Sequence, residues 1–353
     1  MIKYYIVFCL FVLCIEFCFT DVIEDPSVKT DVLSEKQMEE YSQNDVVNFI
    51  EMFEEVALRA RKSLEEDLLP LEDSLLLYDE MTAIAQDIID LNVNPNNVYK
   101  FLYAKGLDRV VAPNLKISHV PLRRQLLILT KQLFDIAPST VKNLIPVAIL
   151  DGLLEIFESD GNLPVKAYAL DVLNLWLPGS PRMQARVMKL KGLEPFYHQI
   201  AKLDVAVVQT LLELFNEILD EHIRARVEGS LKKNGNLEDL ALYQRIGLLE
   251  RMSTSQVCNG LLNVFETSLP VITASGRIMP SMFELITKIE PFCLKRYRGK
   301  SKPNKVFNEL LQILEDPKRE VEFGERGVNV TQIRSVLEKY VRELNQNIVK
   351  DEL

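Results

Sequence analysis

The residues of this chain best suited to chemistry are few and stand apart. There are three histidines, His119, His198 and His222, and none has a cysteine or second histidine at metal-ligand spacing. Of five cysteines, Cys9, Cys14 and Cys18 lie within the first twenty residues, leaving Cys258 and Cys293. Two thiols in so long a chain are no disulfide scaffold. They fit either one bridge or two free, buried side chains. No HExxH, CxxC, GxSxG, G-x-G-x-x-G or P-loop occurs. Aspartates and glutamates abound, as in any acidic helical protein, so carboxylate pairs carry no weight. The expectation is a binding protein without cofactor or metal, not an enzyme.

Side chains that bind rather than react are better placed. Lys131, Asn174 and Asn216 occupy similar points in three helical stretches, each between apolar neighbours. A polar group there either bonds a neighbouring backbone carbonyl or faces a ligand, and the structural use is the commoner. Arg123, Arg124, Lys166, Gln209 and Glu213 lie on the same stretches and are expected to be more exposed. With Asp171 they complete the expected partner-binding set.

The elements that carry these residues are helices. Leu122, Leu126, Leu129, Leu133 and Ile136 fall on one helical face, as do Leu211, Leu212, Phe215, Ile218 and Leu219. Glycine is only 13 of 353 residues. Prolines such as Pro113, Pro121, Pro138, Pro164 and Pro178 sit between helical stretches. The segments Phe101–Val111, Val147–Leu154 and Met188–Phe196 each precede a loop and a long helix. Gly106, Ala148 and Gly192 take the same place in them, 42 and then 44 residues apart. That period belongs to armadillo and HEAT repeats. Such units cannot bury their apolar faces alone and stack into a curved solenoid. The expected fold is all-α: an armadillo-like solenoid of about four repeats over 71–297, with flanking helices. The helices after the loops, Leu122–Ile136, Val165–Leu177 and Val205–Leu219, are expected to line its concave side. A fourth unit runs from Leu240 to Tyr297. Val46–Leu69 reads as a separate amphipathic helix, Gln332–Gln346 as a final one within 298–349, and Asp21–Gln43 as disordered.

Charge is uneven: 18 acidic and 5 basic residues from Asp21 to Glu80, against 32 and 35 from Met81 onward. The acidic arm over 21–70 is either a solvating segment or a regulator of the body's binding surface. His222–Arg226 with Lys232-Lys233, and Lys295–Lys302, are basic clusters. With the chain at −10 overall they read as solvated helix ends or contacts for an acidic protein, not as nucleic-acid sites.

The two ends carry addresses. Met1-Ile2-Lys3 gives a positive start, and Ile6–Ile15 is an apolar run too short to span a bilayer. This predicts a cleavable secretory signal over 1–20. No later segment is apolar enough to span. Lys350-Asp351-Glu352-Leu353 spells the retention signal read by the KDEL receptor. The expected location is the lumen of the endoplasmic reticulum. There Asn329-Val330-Thr331, the one glycosylation sequon, should lie on the surface.

Signal, acidic arm, repeats and retention tail together resemble the Sil-one family. These are nucleotide exchange factors of BiP, the heat-shock-70-type chaperone of the endoplasmic reticulum. The resemblance runs from about Leu71 to Tyr340. It rests on the corners Lys105-Gly106-Leu107 and Lys191-Gly192-Leu193, and on Leu285–Arg298, which ends in Lys295-Arg296-Tyr297-Arg298. Ala148, where glycine is usual, departs from the pattern. The cytosolic heat-shock-70-binding protein group lacks both end signals. The resemblance implies a monomer that grips the nucleotide-binding domain of BiP, tilts one lobe and speeds ADP release. The rival reading is a resident armadillo scaffold for extended segments of other proteins. An enzyme with an unrecognised site ranks last.

Overall fold

The computed structural model describes residues 35–65, 71–193, 197–199, 203–231, 237–275, 280–325 and 329–345. The expected signal, the retention residues Lys350, Asp351, Glu352 and Leu353, and positions 21–34 of the expected disordered stretch lie outside them. Contacts divide the chain after Ser42, and the core and the candidate face both belong to the unit 43–353.

No strand occurs among the described residues. The α-helices are α1 (Glu35–Glu65), α2 (Leu71–Leu91), α3 (Pro95–Tyr103), α4 (Val120–Ile136), α5 (Pro138–Leu144), α6 (Val147–Ser159), α7 (Leu163–Trp176) and α8 (Pro181–Leu190). They continue as α9 (Val205–Leu231), α10 (Leu237–Ile246), α11 (Leu248–Met252), α12 (Ser255–Ser275), α13 (Pro280–Tyr297), α14 (Ser301–Glu315), α15 (Pro317–Glu325) and α16 (Val330–Asn345). A π-helix, Leu107–Val111, lies between α3 and α4.

Local chemistry sets the helix starts. Asn94 Oδ1 accepts the Asn96 N–H at 3.0 Å, and Asn162 Oδ1 the Val165 N–H at 3.1 Å. Asn329 Oδ1 accepts the Gln332 N–H at 3.0 Å. Each supplies an acceptor to a first-turn donor that has no partner within its helix. Pro95, Pro121, Pro138, Pro164 and Pro181 stand in first turns, where a missing N–H costs nothing. Pro270 and Pro291, by contrast, lie inside α12 and α13.

The long helices form a ladder in which each packs on the next: α2 on α4, α4 on α7, α7 on α9, α9 on α13, α13 on α16. The shorter helices back them, with α6 against α7, α10 against α8 and α9, and α12 against α13 and α14. One continuous apolar core runs between the rows. Phe101, Phe134, Trp176, Phe265, Phe283, Tyr297, Phe307 and Tyr340 are among its largest side chains, all essentially inaccessible. Stacking of this kind buries each helix on both neighbours, which no single helix pair in the chain could do.

Three expectations need correction. α1 begins at Glu35, so residues 35–43 are helical rather than disordered. It is not separate from the repeats either: Val46, Ile50, Phe53, Val56, Ala57 and Ala60 belong to the same core. Ala148 is not a corner residue but an exposed position in the first turn of α6. The small residue that packs there is Gly152, whose added β-carbon would meet Leu115 at 3.5 Å. The two Lys-Gly-Leu corners also differ. In the second, Gly192 itself is left-handed, at φ 69°. In the first, Lys105 takes that conformation at φ 59°, while Gly106 stays helical. Cys258 and Cys293, left open by the sequence, form a disulfide that ties α12 to α13, and both are fully buried.

Candidate partner-binding face

The ladder helices bury one face in the core, so the residues half a turn away emerge together on the opposite side. Polar cross-links stitch neighbouring rungs along this side. Gln125 Nε2 donates to Gln86 Oε1 at 2.9 Å, and Gln132 Nε2 to the Ile89 carbonyl at 3.0 Å, joining α4 to α2. Lys131 Nζ lies 3.3 Å from Asp171 Oδ2, joining α4 to α7. Asn216 Nδ2 donates to the Ser281 carbonyl at 2.7 Å, joining α9 to α13. Lys339 pairs with Glu290 at 2.8 Å, joining α16 to α13.

These geometries sort the residues named from sequence. Arg124 is exposed on α4, its guanidinium 5.8 Å from the centre of the Tyr168 ring on α7. Glu213 is exposed on α9 and accepts a 2.6 Å hydrogen bond from Gln209 Nε2. Gln209 is half-buried and also donates to Ser281 Oγ at 2.7 Å. Lys131 and Asp171 are half-exposed and occupied with each other. Asn174 is half-buried on α7, and its Oδ1 receives no hydrogen bond.

Three residues do not belong to the face as expected. Lys166 is 5% exposed, and its ammonium donates to the Glu158 carbonyl at 3.1 Å and to Gln199 Oε1 at 2.8 Å. It is an internal tie across the end of α6, because its long stem can lie along the core while its charge finds acceptors. Arg123 pairs with Asp160, whose side chain is only 3% exposed. It fixes α4 to the loop before α7. Asn216 is 3% exposed and serves the α9–α13 joint, the structural use that its apolar neighbours favoured.

Sequence reasoning missed four residues of the face: Glu217, Asp220, Glu284 and Lys288. With Glu213, the first two stand at i, i+4 and i+7 on α9, and that spacing was the available signal. Glu284 on α13 adds a fourth carboxylate across the joint. Lys288, on the next turn of α13, bridges the two helices, 2.6 Å from both Asp220 Oδ2 and Glu284 Oε1. Burial, the neighbouring Glu221 and Asp220 push the Glu217 carboxyl up, against the pull of Lys142 and Arg224.

Two of the three histidines do structural work, while His198 is exposed. His119 Nδ1 accepts the Leu122 N–H at the start of α4, and its ring stacks on Tyr78. His222 is buried against Tyr243, 3.1 Å from Gln184 Oε1. It also lines a hollow of about 250 Å³ with Arg226, Tyr243, Gln244, Leu248, Leu249 and Glu250. No cluster of three or more metal-ligating side chains occurs among the described residues. The second basic cluster is tied down: Arg298 pairs with Glu343, Lys302 with Glu266, and Arg296 Nε donates to the Ser253 carbonyl at 2.9 Å. No helix among the described residues is long and apolar enough to cross a membrane. Asn329 is exposed, as the sequon requires. No protein-family model matches this chain, and no curated protein matches it.

Proposed function

We propose that this chain is an armadillo-like solenoid that acts as a nucleotide exchange factor for BiP in the lumen of the endoplasmic reticulum. The observation that carries the reading is the ladder. Five successive joints align long helices α2, α4, α7, α9, α13 and α16, with Arg124, Tyr168, Glu213 and Glu217 presented along it. A row of this length can bury the 1,000 Å² or so that a specific contact needs. The retention tetrapeptide and the apolar leader supply the compartment, and the chaperone comes from the family resemblance.

The mechanism is mechanical coupling. ADP contacts both lobes of the chaperone's nucleotide-binding domain. A rigid face that grips one lobe in a tilted position binds the ADP-free form better than the ADP-bound form. The two bindings then oppose each other by one coupling free energy, felt equally by both ligands. About 3 kcal/mol would weaken ADP roughly 150-fold. No side chain of this chain has to touch nucleotide.

The test is release of a fluorescent ADP analogue from purified BiP. Acceleration that saturates with this protein is expected, and so is dissociation of the complex on adding ATP. Unchanged release at saturating protein overturns the proposal. A partner from lumenal extract that ignores nucleotide points to the scaffold reading instead.

A further inference from the structure

We infer that the hollow beside His222 receives one aromatic side chain from an extended segment of another protein, and that its rim holds the peptide group of that residue. None of its lining residues belongs to the ladder face, so this site is separate from the proposed exchange activity.

A single residue shapes the hollow. Gly247 alone separates α10 from α11 and is left-handed, at φ 66°, a conformation that glycine adopts without strain. The turn sets Tyr243 and Gln244 of α10 against Leu248, Leu249 and Glu250 of α11, and α9 adds His222 and Arg226. Leu248 and Leu249, 3% and 5% exposed, form the floor. Residues beyond the lining hold the two aromatic walls: Tyr243 Oη donates to Glu221 Oε2 at 2.9 Å, and His222 Nε2 lies 3.1 Å from Gln184 Oε1. The two rings stand edge to face, with centroids 4.9 Å apart. An incoming ring therefore meets aromatic walls already fixed in orientation.

Size and packing select the occupant. The space is about 250 Å³. Sites for whole small-molecule ligands run to about 300–1,000 Å³, so this one suits a single large side chain. Two smaller voids, of about 30 and 20 Å³, adjoin it at Leu248, and both are also lined by Leu193 and Ile218. Close-packed interiors keep few such voids. Here they meet at the floor of the hollow, which gives Leu248 room to recede before an entering ring.

The rim selects what the ring is attached to. Arg226 and Glu250 pair there, with both side chains more than half exposed, and Gln244 is exposed on the neighbouring helix. An ion pair so exposed adds little to the fold. Its charges cancel, while it offers N–H donors and carboxylate acceptors side by side. That set complements one C=O and one N–H of a peptide group. A phosphate-bearing ligand suits it poorly, because the guanidinium is already shared with a carboxylate. Burial keeps His222 uncharged at neutral pH, so the walls favour a neutral ring. An aromatic anchor in a pocket with a polar rim is a common way for one protein to hold another.

The experiment titrates the full chain, methyl-labelled at leucine, with three probes while the Leu248 and Leu249 signals are followed. N-acetyl-L-tyrosinamide carries ring and peptide groups, p-cresol the ring alone, and N-acetyl-L-alaninamide the peptide groups alone. The first is expected to shift both leucines, with the alanine probe at least about tenfold weaker and p-cresol about three- to tenfold weaker. Leu249→Phe places a ring in the hollow from within and should abolish binding, its folding checked by melting temperature. Arg226→Gln with Glu250→Gln changes only exposed side chains and should bring the tyrosine probe down to the level of p-cresol. No shift at either leucine overturns the inference. So does p-cresol binding as tightly as the tyrosine probe, which would mark a site for a free apolar molecule, or a rim variant that binds like the parent. Each of these results leaves the exchange activity, read from ADP release, untouched.

Discussion

The Phe101 ring lies so close over Gly106 that a β-carbon there would fall 2.6 Å from Phe101 Cδ2 and nearer still to Cε2 and Cζ. Phe101 is fully buried at the end of α3, and Gly106 opens the π-helix Leu107–Val111. Glycine is needed here for contact, not for conformation, since its φ of −58° suits any residue. The left-handed residue of this corner is Lys105. Gly106→Ala must displace the ring or the π-turn and should cost about 1–3 kcal/mol in urea denaturation. Lys105→Gly relieves a left-handed side chain and should stabilise by up to about 1 kcal/mol. The opposite order would show that the corner's strain lies elsewhere.

The Cys258–Cys293 bridge closes a loop with a sequence separation of 35. Chain entropy of that loop corresponds to about 4 kcal/mol. Cys258→Ala with Cys293→Ala should lower the unfolding free energy by about this amount without altering ADP release at moderate temperature. Both sulfurs are inaccessible, so thiol reagents should find neither residue in the folded protein and both after reduction in denaturant. Labelling of either in the native state would contradict the bridge.

Adjacent arginines on α4 should separate stability from binding. Arg123 neutralises an almost inaccessible Asp160, which also accepts the Asn162 N–H at 2.8 Å through its other oxygen. Removing one partner of a buried pair strands the other charge, so Arg123→Ala should cost about 3–5 kcal/mol. Asp160→Asn added to it should recover part of that. Arg124 stands exposed over Tyr168, so Arg124→Glu should change stability by less than about 0.5 kcal/mol yet weaken chaperone binding. Equal melting temperatures for the two single variants would refute the distinction.

Much of the architecture was legible because it is written in local periodicity. The starts and ends of α4, α7 and α16 fall within a few residues of where apolar spacing placed them, since Pro121 and Pro164 mark first turns. The repeat register was less legible. Ala148 and Gly152 are both small and four residues apart, and only packing on Leu115 identifies the one that matters. The face was legible at Arg124 and Glu213 but not at Arg123 or Lys166. Whether a cation on an amphipathic helix meets solvent or a buried acceptor depends on residues remote in sequence, here Asp160 and Gln199. Glu284 was missed because it joins the Glu213–Asp220 stripe across the α9–α13 joint, a neighbour relation that no linear spacing encodes.

His222 should make stability depend on pH. Burial, only partly offset by Glu250 and a bond to the Tyr243 backbone, lowers its pKa from 6.5 to about 4. A histidine depressed in the folded state stays neutral there while the unfolded chain takes up a proton, so stability falls as pH drops from about 6.5 toward 4 and is unaffected above that window. The shift corresponds to about 3 kcal/mol across the window. Carboxylates held low by their partners, such as Glu54 with Arg109 and Asp151 with Arg186, also lose stability on acidification, so the parent curve alone does not isolate the histidine. His222→Gln keeps a polar group facing Gln184 and removes the titration. Its unfolding free energy should therefore fall less steeply than the parent's between pH 6.5 and 4 and run parallel to it above pH 7. Parallel curves throughout would mean that His222 takes its proton in the folded state as readily as in the unfolded one.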